Sequence, residues 1–255
     1  MKKLVIRADD IGYSEAVNYG IMKSVKDCLV RSAGVMPNMP YAEHGIRLLE
    51  GEDVCLGQHT NVCLGRPCAD PALIPSLLQA NGEFRSSRDY RQAFSAGEEF
   101  VKTEEAVIEI EAQYQRFKEL TGKEPGYFEA HAVISRNLSE ALEIVAEKYG
   151  LPYQPARFDG KPTTFNGKPV LILPMGSVLP DYDAYECLKE GILKHAREDM
   201  PNVAVFHPGF LDDYLLNHSS LTVNRTKEVV MLCDPAMKEW LEANDVELVT
   251  YDDIR

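Results

Sequence analysis

Short apolar runs that end in polar residues, with a helical pattern between one run and the next, are the feature that most constrains the fold of this chain. Five such runs occur: Leu4-Val5-Ile6, Val54-Cys55-Leu56-Gly57, Tyr127-Phe128, Val203-Ala204-Val205-Phe206 and Val246-Glu247-Leu248-Val249. Strands that alternate with helices predict an α/β fold with a mostly parallel sheet covered by helices. The chain has 255 residues, a common size for one α/β barrel, so we expect a single domain over 1–255.

Helical periodicity fills most of the intervals, and the predicted helices cover about 14–27, 40–50, 103–121, 138–149, 184–198 and 222–243. Thr103 is the expected N-cap of the strongest pattern, and Asn137 or Ser139 the expected N-cap of the next. Pro235 predicts that the last segment is two helices or one kinked helix. The proline-rich stretches 63–100 and 152–183 are expected to be long loops with short elements over the functional face.

The formal net charge of -13 argues against a nucleic-acid partner, because phosphate binding needs a basic face. It also argues against an anionic membrane surface, whereas a neutral sugar is compatible with it. The apolar run near the N-terminus stops at Arg7, far short of the roughly 7–15 apolar residues of an export signal. We therefore expect a cytoplasmic protein whose six cysteines are reduced thiols.

Acidic or histidine residues stand where four of the apolar runs end. Asp9 and Asp10 follow the first run, His59 the second, His131 the third and His207 the fourth. In parallel sheets the functional residues gather at the carboxyl ends of the strands. We therefore expect these five side chains to form one active site.

Asp9 and Asp10 could simply cap the helix that begins near Ser14, because aspartate is a favoured N-cap. Ser14 can fill that role itself, however. Two adjacent carboxylates at a strand end suit a division of labour in which one binds a metal ion and the other moves protons.

One aspartate together with His59 and His131 would give a three-ligand metal site with open positions for water, and zinc-type hydrolysis fits such a site. His207 is followed by a Pro-Gly turn and is interpreted as a general acid or an oxyanion stabiliser, with a buried structural role as the alternative. His44 and His195 are expected on exposed helix surfaces, and His218 in a loop. The phosphate-binding glycine loops and the G-x-S-x-G elbow are absent from the sequence, which makes nucleotide chemistry and serine acyl transfer less favoured.

Four segments, in order along nearly the whole chain, resemble motifs of the YdjC-like (ChbG/HpnK) carbohydrate deacetylases. Residues 7–14 are similar to the family's N-A-D-D-F-G-x-S, 57–60 to G-L-H-L, 129–131 to D-S-H, and 207–209 to H-P-G, and Arg225 and Glu228 lie in a C-terminal part that also resembles the family.

This resemblance implies a distorted (β/α) TIM-like barrel and one divalent ion held by Asp10, His59 and His131. Zinc or magnesium is favoured as the ion, with manganese or cobalt as alternatives. Asp9 is implied as the base that deprotonates water and His207 as the acid that protonates the leaving amine. The implied substrate is an N-acetylated mono- or oligosaccharide, and a homodimer is the default assembly.

Several positions depart from the family pattern. Val133 and Ser135 replace two further histidines, Glu129 replaces an aspartate expected near the metal, and Arg7 replaces an asparagine. Two alternatives therefore stay open. One aspartate and two histidines also describe the site of Fe(II) oxygenases, although these enzymes usually have an all-β barrel. A non-catalytic sugar-binding protein is the other alternative, although binding alone would need neither Asp9 nor His207.

Overall fold

The computed structural model describes residues 1–157 and 159–255, and its centre is a curled, mostly parallel eight-stranded sheet. The strands are β1 (Lys2–Ile11), β2 (Ser32–Val35), β3 (Cys55–Thr60), β4 (Phe128–Ala130), β5 (Thr163–Phe165), β6 (Lys168–Ile172), β7 (Asn202–Phe206) and β8 (Val246–Val249). Their order is β4-β3-β2-β1-β7-β6-β5, with β8 also paired to β1. Only the β5–β6 hairpin is antiparallel among the described strand pairs. The predicted α/β, TIM-like architecture with a mostly parallel sheet is confirmed.

Strand β1 is the centre of the sheet and pairs with three others. On one side, β7 pairs with residues 4–8 of β1. On the other side, β8 pairs with residues 2–5 of β1 and β2 pairs with residues 7–11. Because side chains alternate along a strand, Val5, Arg7 and Asp9 point to the same side. Val5 packs there with Tyr127, Val203 and Tyr251, which fill the interior of the curled sheet below the polar residues.

Helices cover the outer face of the sheet, where Leu4, Ile6 and Ala8 belong to the largest apolar cluster. They are α1 (Glu15–Val25), α2 (Ala42–Leu48), α3 (Ser87–Ala96), α4 (Thr103–Thr121), α5 (Arg136–Tyr149), α6 (Ala184–Glu190), α7 (Asp213–His218), α8 (Val223–Leu232), α9 (Pro235–Ala243) and α10 (Tyr251–Ile254). In the described part of the chain, none of them has both the length and the apolar character that a membrane crossing needs.

The helix caps differ from prediction at two places. Ser14 does cap α1 and accepts a hydrogen bond from Val17 N at 3.2 Å. Thr103, however, is the first residue of α4 rather than its cap, and its hydroxyl donates to Glu140. Helix α5 begins earlier than predicted, since Ser135 and not Asn137 or Ser139 accepts from Leu138 N. Pro235 separates α8 from α9. The predicted helical segment 222–243 is therefore two helices, which is one of the two predicted alternatives.

The described residues of the two proline-rich stretches form loops with short elements, as predicted, apart from the ten-residue helix α3. Residues 63–100 include two short 3₁₀ turns and α3, which begins with a capping box of Ser86 and Asp89. Residues 152–183 include the β5–β6 hairpin. Strand β2 was also missed, because Ser32–Val35 is too short and too small in its side chains to stand out.

Cys28 and Cys233 form a disulfide between the end of α1 and the junction of α8 and α9, although 205 residues separate them in the sequence. The prediction of six reduced thiols is therefore wrong for this pair. Cys55, Cys63, Cys68 and Cys187 are free thiols.

Candidate active site

A cavity of about 640 Å³ opens at the carboxyl ends of the strands, and all five predicted site residues line it: Asp9, Asp10, His59, His131 and His207. Strand β1 supplies the two aspartates, β3 supplies His59, and His131 and His207 come directly after β4 and β7. The parallel register explains this convergence, since His59 lies opposite Glu129 across β3 and β4. The predicted gathering at the strand ends is observed.

The side chains of Asp10, His59 and His131 meet at one point. Oδ1 of Asp10 lies 3.1 Å from Nε2 of His59 and 3.1 Å from Nδ1 of His131. The two ring nitrogens are 2.8 Å apart. Asp10 has a φ of 82°, an unusual conformation for a residue with a Cβ. This φ interrupts the alternation of β1, so the side chain of Asp10 can turn to the same cavity as that of Asp9.

This trio is a suitable set of donors for a divalent ion. Two imidazole nitrogens and one carboxylate oxygen are ligands that zinc commonly takes, with bonds of about 2.0–2.2 Å. Three atoms no more than 3.1 Å apart can all be bonded to one ion at such lengths. Hydrogen bonds alone satisfy the three buried groups poorly, because each ring nitrogen faces both the carboxylate and the other ring.

Two charged residues hold these groups from outside. Nδ1 of His59 is hydrogen bonded to Glu129 Oε1, which orients the ring so that Nε2 faces the trio. On the far side, Arg225 Nη2 donates to Asp10 Oδ2 at 2.7 Å. The Glu129 that replaces the family's aspartate thus lies beside a predicted metal ligand, as expected.

Burial and neighbouring charges oppose each other in this cluster. Burial raises the pKa of Asp10, but the Arg225 guanidinium and the His131 ring outweigh it, and the net pKa is well below its usual range. Burial lowers the pKa of His131, but Asp10 beside it raises the pKa to about 9. A bound ion requires a free electron pair on the facing nitrogen of each ring, so ion binding is coupled to release of the proton that the raised pKa of His131 favours.

Asp9 is the partner of Arg7, a residue whose function could not be predicted from the sequence. Arg7 Nη2 donates to Asp9 Oδ2 at 2.8 Å, and its Nε lies 2.7 Å from Oδ1. The same guanidinium lies 3.4 Å from Glu129 Oε2 and donates to the Tyr251 hydroxyl at 3.1 Å. Arg7 thereby links the predicted base to the carboxylate that orients His59.

His207 lies on the opposite side of the cavity, at the end of β7. Its Nδ1 is buried and has no hydrogen-bond partner among the described residues. Burial lowers the pKa of His207 to about 4, although Asp10 and Asp9 oppose this shift. The ring is therefore neutral at neutral pH in the ligand-free cavity.

The backbone of His207 is held by helix α8. Glu228 Oε2 accepts a hydrogen bond from His207 N at 2.6 Å, and Arg225 Nη1 donates to His207 O at 3.3 Å. The other oxygen of Glu228 accepts from the hydroxyls of Ser177 and Tyr182 at 2.6 and 3.1 Å. Burial raises the pKa of Glu228 to about 7, although these donors oppose the shift. Glu228 thus joins His207 to the segment that carries Ser177 on the cavity wall.

Gly34 of β2 lies directly beneath the site and was also missed. A Cβ at this position would lie 3.0 Å from His59 Cβ and 3.1 Å from both Asp9 Oδ1 and Glu129 Oε1. Only a glycine leaves these three side chains undisturbed. This close approach could not be predicted from the sequence, because Gly34 and Glu129 are brought together only by the order of the strands in the sheet.

The structure also shows where the remaining histidines lie, and what is done by the two residues that replace family histidines, Val133 and Ser135. His195 is exposed, as predicted, whereas His44 is half-buried and hydrogen bonded to Asn18. His218 is the last residue of α7 rather than a loop residue, and it lines the cavity. Val133 is buried in the apolar cluster that contains α5, and Ser135 caps that helix.

Comparisons with known proteins identify relatives of this chain. A family model described as "YdjC-like protein" matches residues 3–243. The Carbohydrate deacetylase 2 of Listeria innocua is 30% identical over 257 residues, covering 99% of this chain and 98% of the relative. A carbohydrate deacetylase of Geobacillus stearothermophilus is 31% identical over 255 residues, covering 97% of this chain and 96% of the relative.

Solved structures confirm the fold. A proposed cellobiose-phosphate cleavage protein from Enterococcus faecalis V583 superposes with a TM-score of 0.80 at 24% identity, covering 99% of this chain and 98% of the other. A family 4 acetyl xylan esterase from Clostridium thermocellum, solved with a cobalt ion, gives a TM-score of 0.56 at 11% identity, with 99% and 90% covered. At these identities the likeness establishes the architecture only.

Proposed function

The chain belongs to the YdjC-like protein family, and we propose that it is a metal-dependent hydrolase that removes the acetyl group from an N-acetylated mono- or oligosaccharide. The observation that carries the proposal is the meeting of Asp10 Oδ1, His59 Nε2 and His131 Nδ1 within 3.1 Å of one another in the cavity. The names of the relatives, which are carbohydrate deacetylases, suggest the acetyl group and the sugar.

We assign Asp10, His59 and His131 as the residues that would hold the ion. Zinc or magnesium is our first choice, and manganese or cobalt our second. When bound, such an ion polarises a carbonyl group and lowers the pKa of water from 15.7 towards ~7. Two imidazoles and one carboxylate leave positions open for water and substrate, which hydrolysis requires.

Asp9 and His207 are the proposed proton-transfer residues. Asp9 takes the proton that the attacking water loses, and Arg7 fixes the carboxylate for this role. His207 donates a proton to the sugar nitrogen as the carbon–nitrogen bond breaks. Because the pKa of His207 is lowered to about 4 in the ligand-free cavity, the ring takes up its proton from solvent within the complex, where negative charge developing on the acetamide favours the charged form. Asp9 returns its proton to solvent after the products leave, so each turnover leaves both residues as they began.

We also propose that the protein is located in the cytoplasm and acts as a homodimer. Of the alternative functions, the Fe(II) oxygenase shares the set of one aspartate and two histidines, but the parallel, helix-covered sheet is unlike the all-β barrel that these enzymes usually have. The non-catalytic sugar-binding protein remains the alternative that the activity test must exclude.

The test is acetate release from a panel of N-acetylated mono- and oligosaccharides. The protein is first stripped with a chelator and then supplied with zinc, magnesium, manganese or cobalt. The proposal expects acetate from at least one sugar, loss of release after chelation, and recovery when the ion is returned. A protein that binds one ion and a sugar from the panel yet releases no acetate would instead be a binding protein.

A further inference from the structure

Asp9, His59 and Glu129 form a second group with the composition of a metal site. Each offers one ligand atom, these atoms lie within 4.8 Å of one another, and all three residues are buried. His59 presents Nε2 to Asp10 and His131 but Nδ1 to Glu129. A second ion would therefore lie on the opposite side of the ring from the first.

The guanidinium of Arg7 already contacts both carboxylates of this group. It lies 2.7 and 2.8 Å from the two oxygens of Asp9 and 3.4 Å from Glu129 Oε2. Arg7 is only 6% exposed, so its charge is little screened by solvent. The Tyr251 hydroxyl accepts from its Nη1, and the Tyr127 ring lies 5.9 Å from its carbon Cζ.

We propose that Arg7 is a built-in cation that prevents Asp9 and Glu129 from binding a second divalent ion, and so limits the site to one ion with Asp9 free of metal. This inference rests on the proposed function, in which Asp10, His59 and His131 hold that one ion. The consequence for the reaction is direct. A carboxylate bonded to a metal ion shares its electron pairs with that ion and is a poorer proton acceptor.

Arginine suits this role better than another cation. Its planar guanidinium has several donors in a fixed arrangement, so one side chain can contact two carboxylates, and it does not lose its proton in proteins. A lysine at position 7 would keep the positive charge, but as a single ammonium group without the planar arrangement of donors. A neutral side chain would leave two buried carboxylates without their cation, and an unpaired buried charge is strongly unfavourable. A divalent ion bound to the two carboxylates would supply the missing positive charge.

The experiment measures zinc bound per chain, by elemental analysis after equilibrium dialysis against excess zinc. Four proteins are compared: the wild type, Arg7→Gln, Arg7→Lys, and the double variant Arg7→Gln/Glu129→Gln. We expect one zinc in the wild type, two in Arg7→Gln and one in Arg7→Lys. The double variant should bind no more than one zinc, because Glu129→Gln removes a ligand of the second ion and also weakens the orientation of His59. Two ions in the wild type, or one in Arg7→Gln, would overturn the inference.

The wild-type value separates this inference from the proposed function. No bound zinc in the wild type would overturn this inference and the choice of zinc, while acetate release with the other ions would still decide the proposed function. One zinc in both the wild type and Arg7→Gln would overturn only the role of Arg7. If Arg7→Gln folds poorly, its thermal unfolding is measured with and without zinc and compared with that of the wild type. We expect zinc to raise the melting temperature of Arg7→Gln more than that of the wild type. An equal shift, or a variant that stays unfolded at every zinc concentration, would also contradict the inference.

Discussion

Arg225 Nη2 lies 2.7 Å from Asp10 Oδ2, while the other oxygen of Asp10 faces the two histidines. One oxygen of this carboxylate is therefore held by an arginine of α8 and the other is left for an ion. We predict that Arg225→Gln lowers zinc affinity by about 10–100-fold, the usual cost of losing a residue that orients a metal ligand. Competition with a chromogenic chelator measures this.

The matched control is Arg197→Gln, because Arg197 is an exposed arginine that pairs with Asp199. We expect its zinc affinity to equal that of the wild type. If Arg225→Gln bound zinc as tightly as the wild type, or more tightly, orientation of Asp10 by Arg225 would not contribute to ion binding.

Gly34 gives a steric test of the same site. In Gly34→Ala the new methyl group would meet His59 Cβ at 3.0 Å and Glu129 Oε1 at 3.1 Å, and these side chains must shift by a few tenths of an ångström. We expect zinc affinity to fall roughly tenfold or more, because the disturbed residues are a metal ligand and its orienting partner.

Gly191→Ala is the control for this substitution. Its Cβ would lie 3.5 Å from the nearest side-chain atom, an ordinary contact, and Gly191 has helical backbone angles. We expect it to leave zinc affinity unchanged and stability equal or slightly higher. Full zinc affinity in Gly34→Ala would show that His59 and Glu129 have more freedom than the structure indicates.

Glu228 makes stability depend on pH. Its pKa is raised by burial from the ordinary value of 4.5 to about 7. A raised carboxyl pKa contributes stability that is full below about pH 4.5 and is lost as the pH rises through about 7. Relative to Glu228→Gln, the free energy of unfolding of the wild type should therefore fall by about 3 kcal/mol between about pH 4.5 and pH 8.

Urea unfolding of both proteins at the two pH values measures this difference. Glu147→Gln, a change at an exposed glutamate of α5, should follow the wild type at both values. If the wild type and Glu228→Gln lost stability in parallel as the pH rose, Glu228 would not titrate in this range.

The residues at the strand ends could be predicted because a parallel sheet brings them together by its topology. Asp9, Asp10, His59, His131 and His207 each follow or end a recognisable strand, so their gathering needed no long-range information. Ser14 was identified as a cap for a similar reason, since the cap and the helix it begins are neighbours in the sequence.

The residues that support the site could not be predicted from local patterns. Arg225 lies 215 residues from Asp10, and α8 gives no sign that one of its side chains reaches β1. Arg7 looked like the polar end of an apolar run, although it is buried between two carboxylates. The disulfide of Cys28 and Cys233 likewise depends on packing between distant helices.

In the proposed mechanism, three of the five residues hold an ion and two move protons. The most direct test measures zinc content and acetate release together in Asp9→Asn and His59→Ala, with the most active sugar of the panel. We predict that Asp9→Asn keeps one zinc per chain and loses turnover by about 10²–10⁴-fold, the usual contribution of general acid–base catalysis. His59→Ala should lose both the zinc and the activity. Near-full activity in Asp9→Asn, or a retained zinc in His59→Ala, would contradict this division.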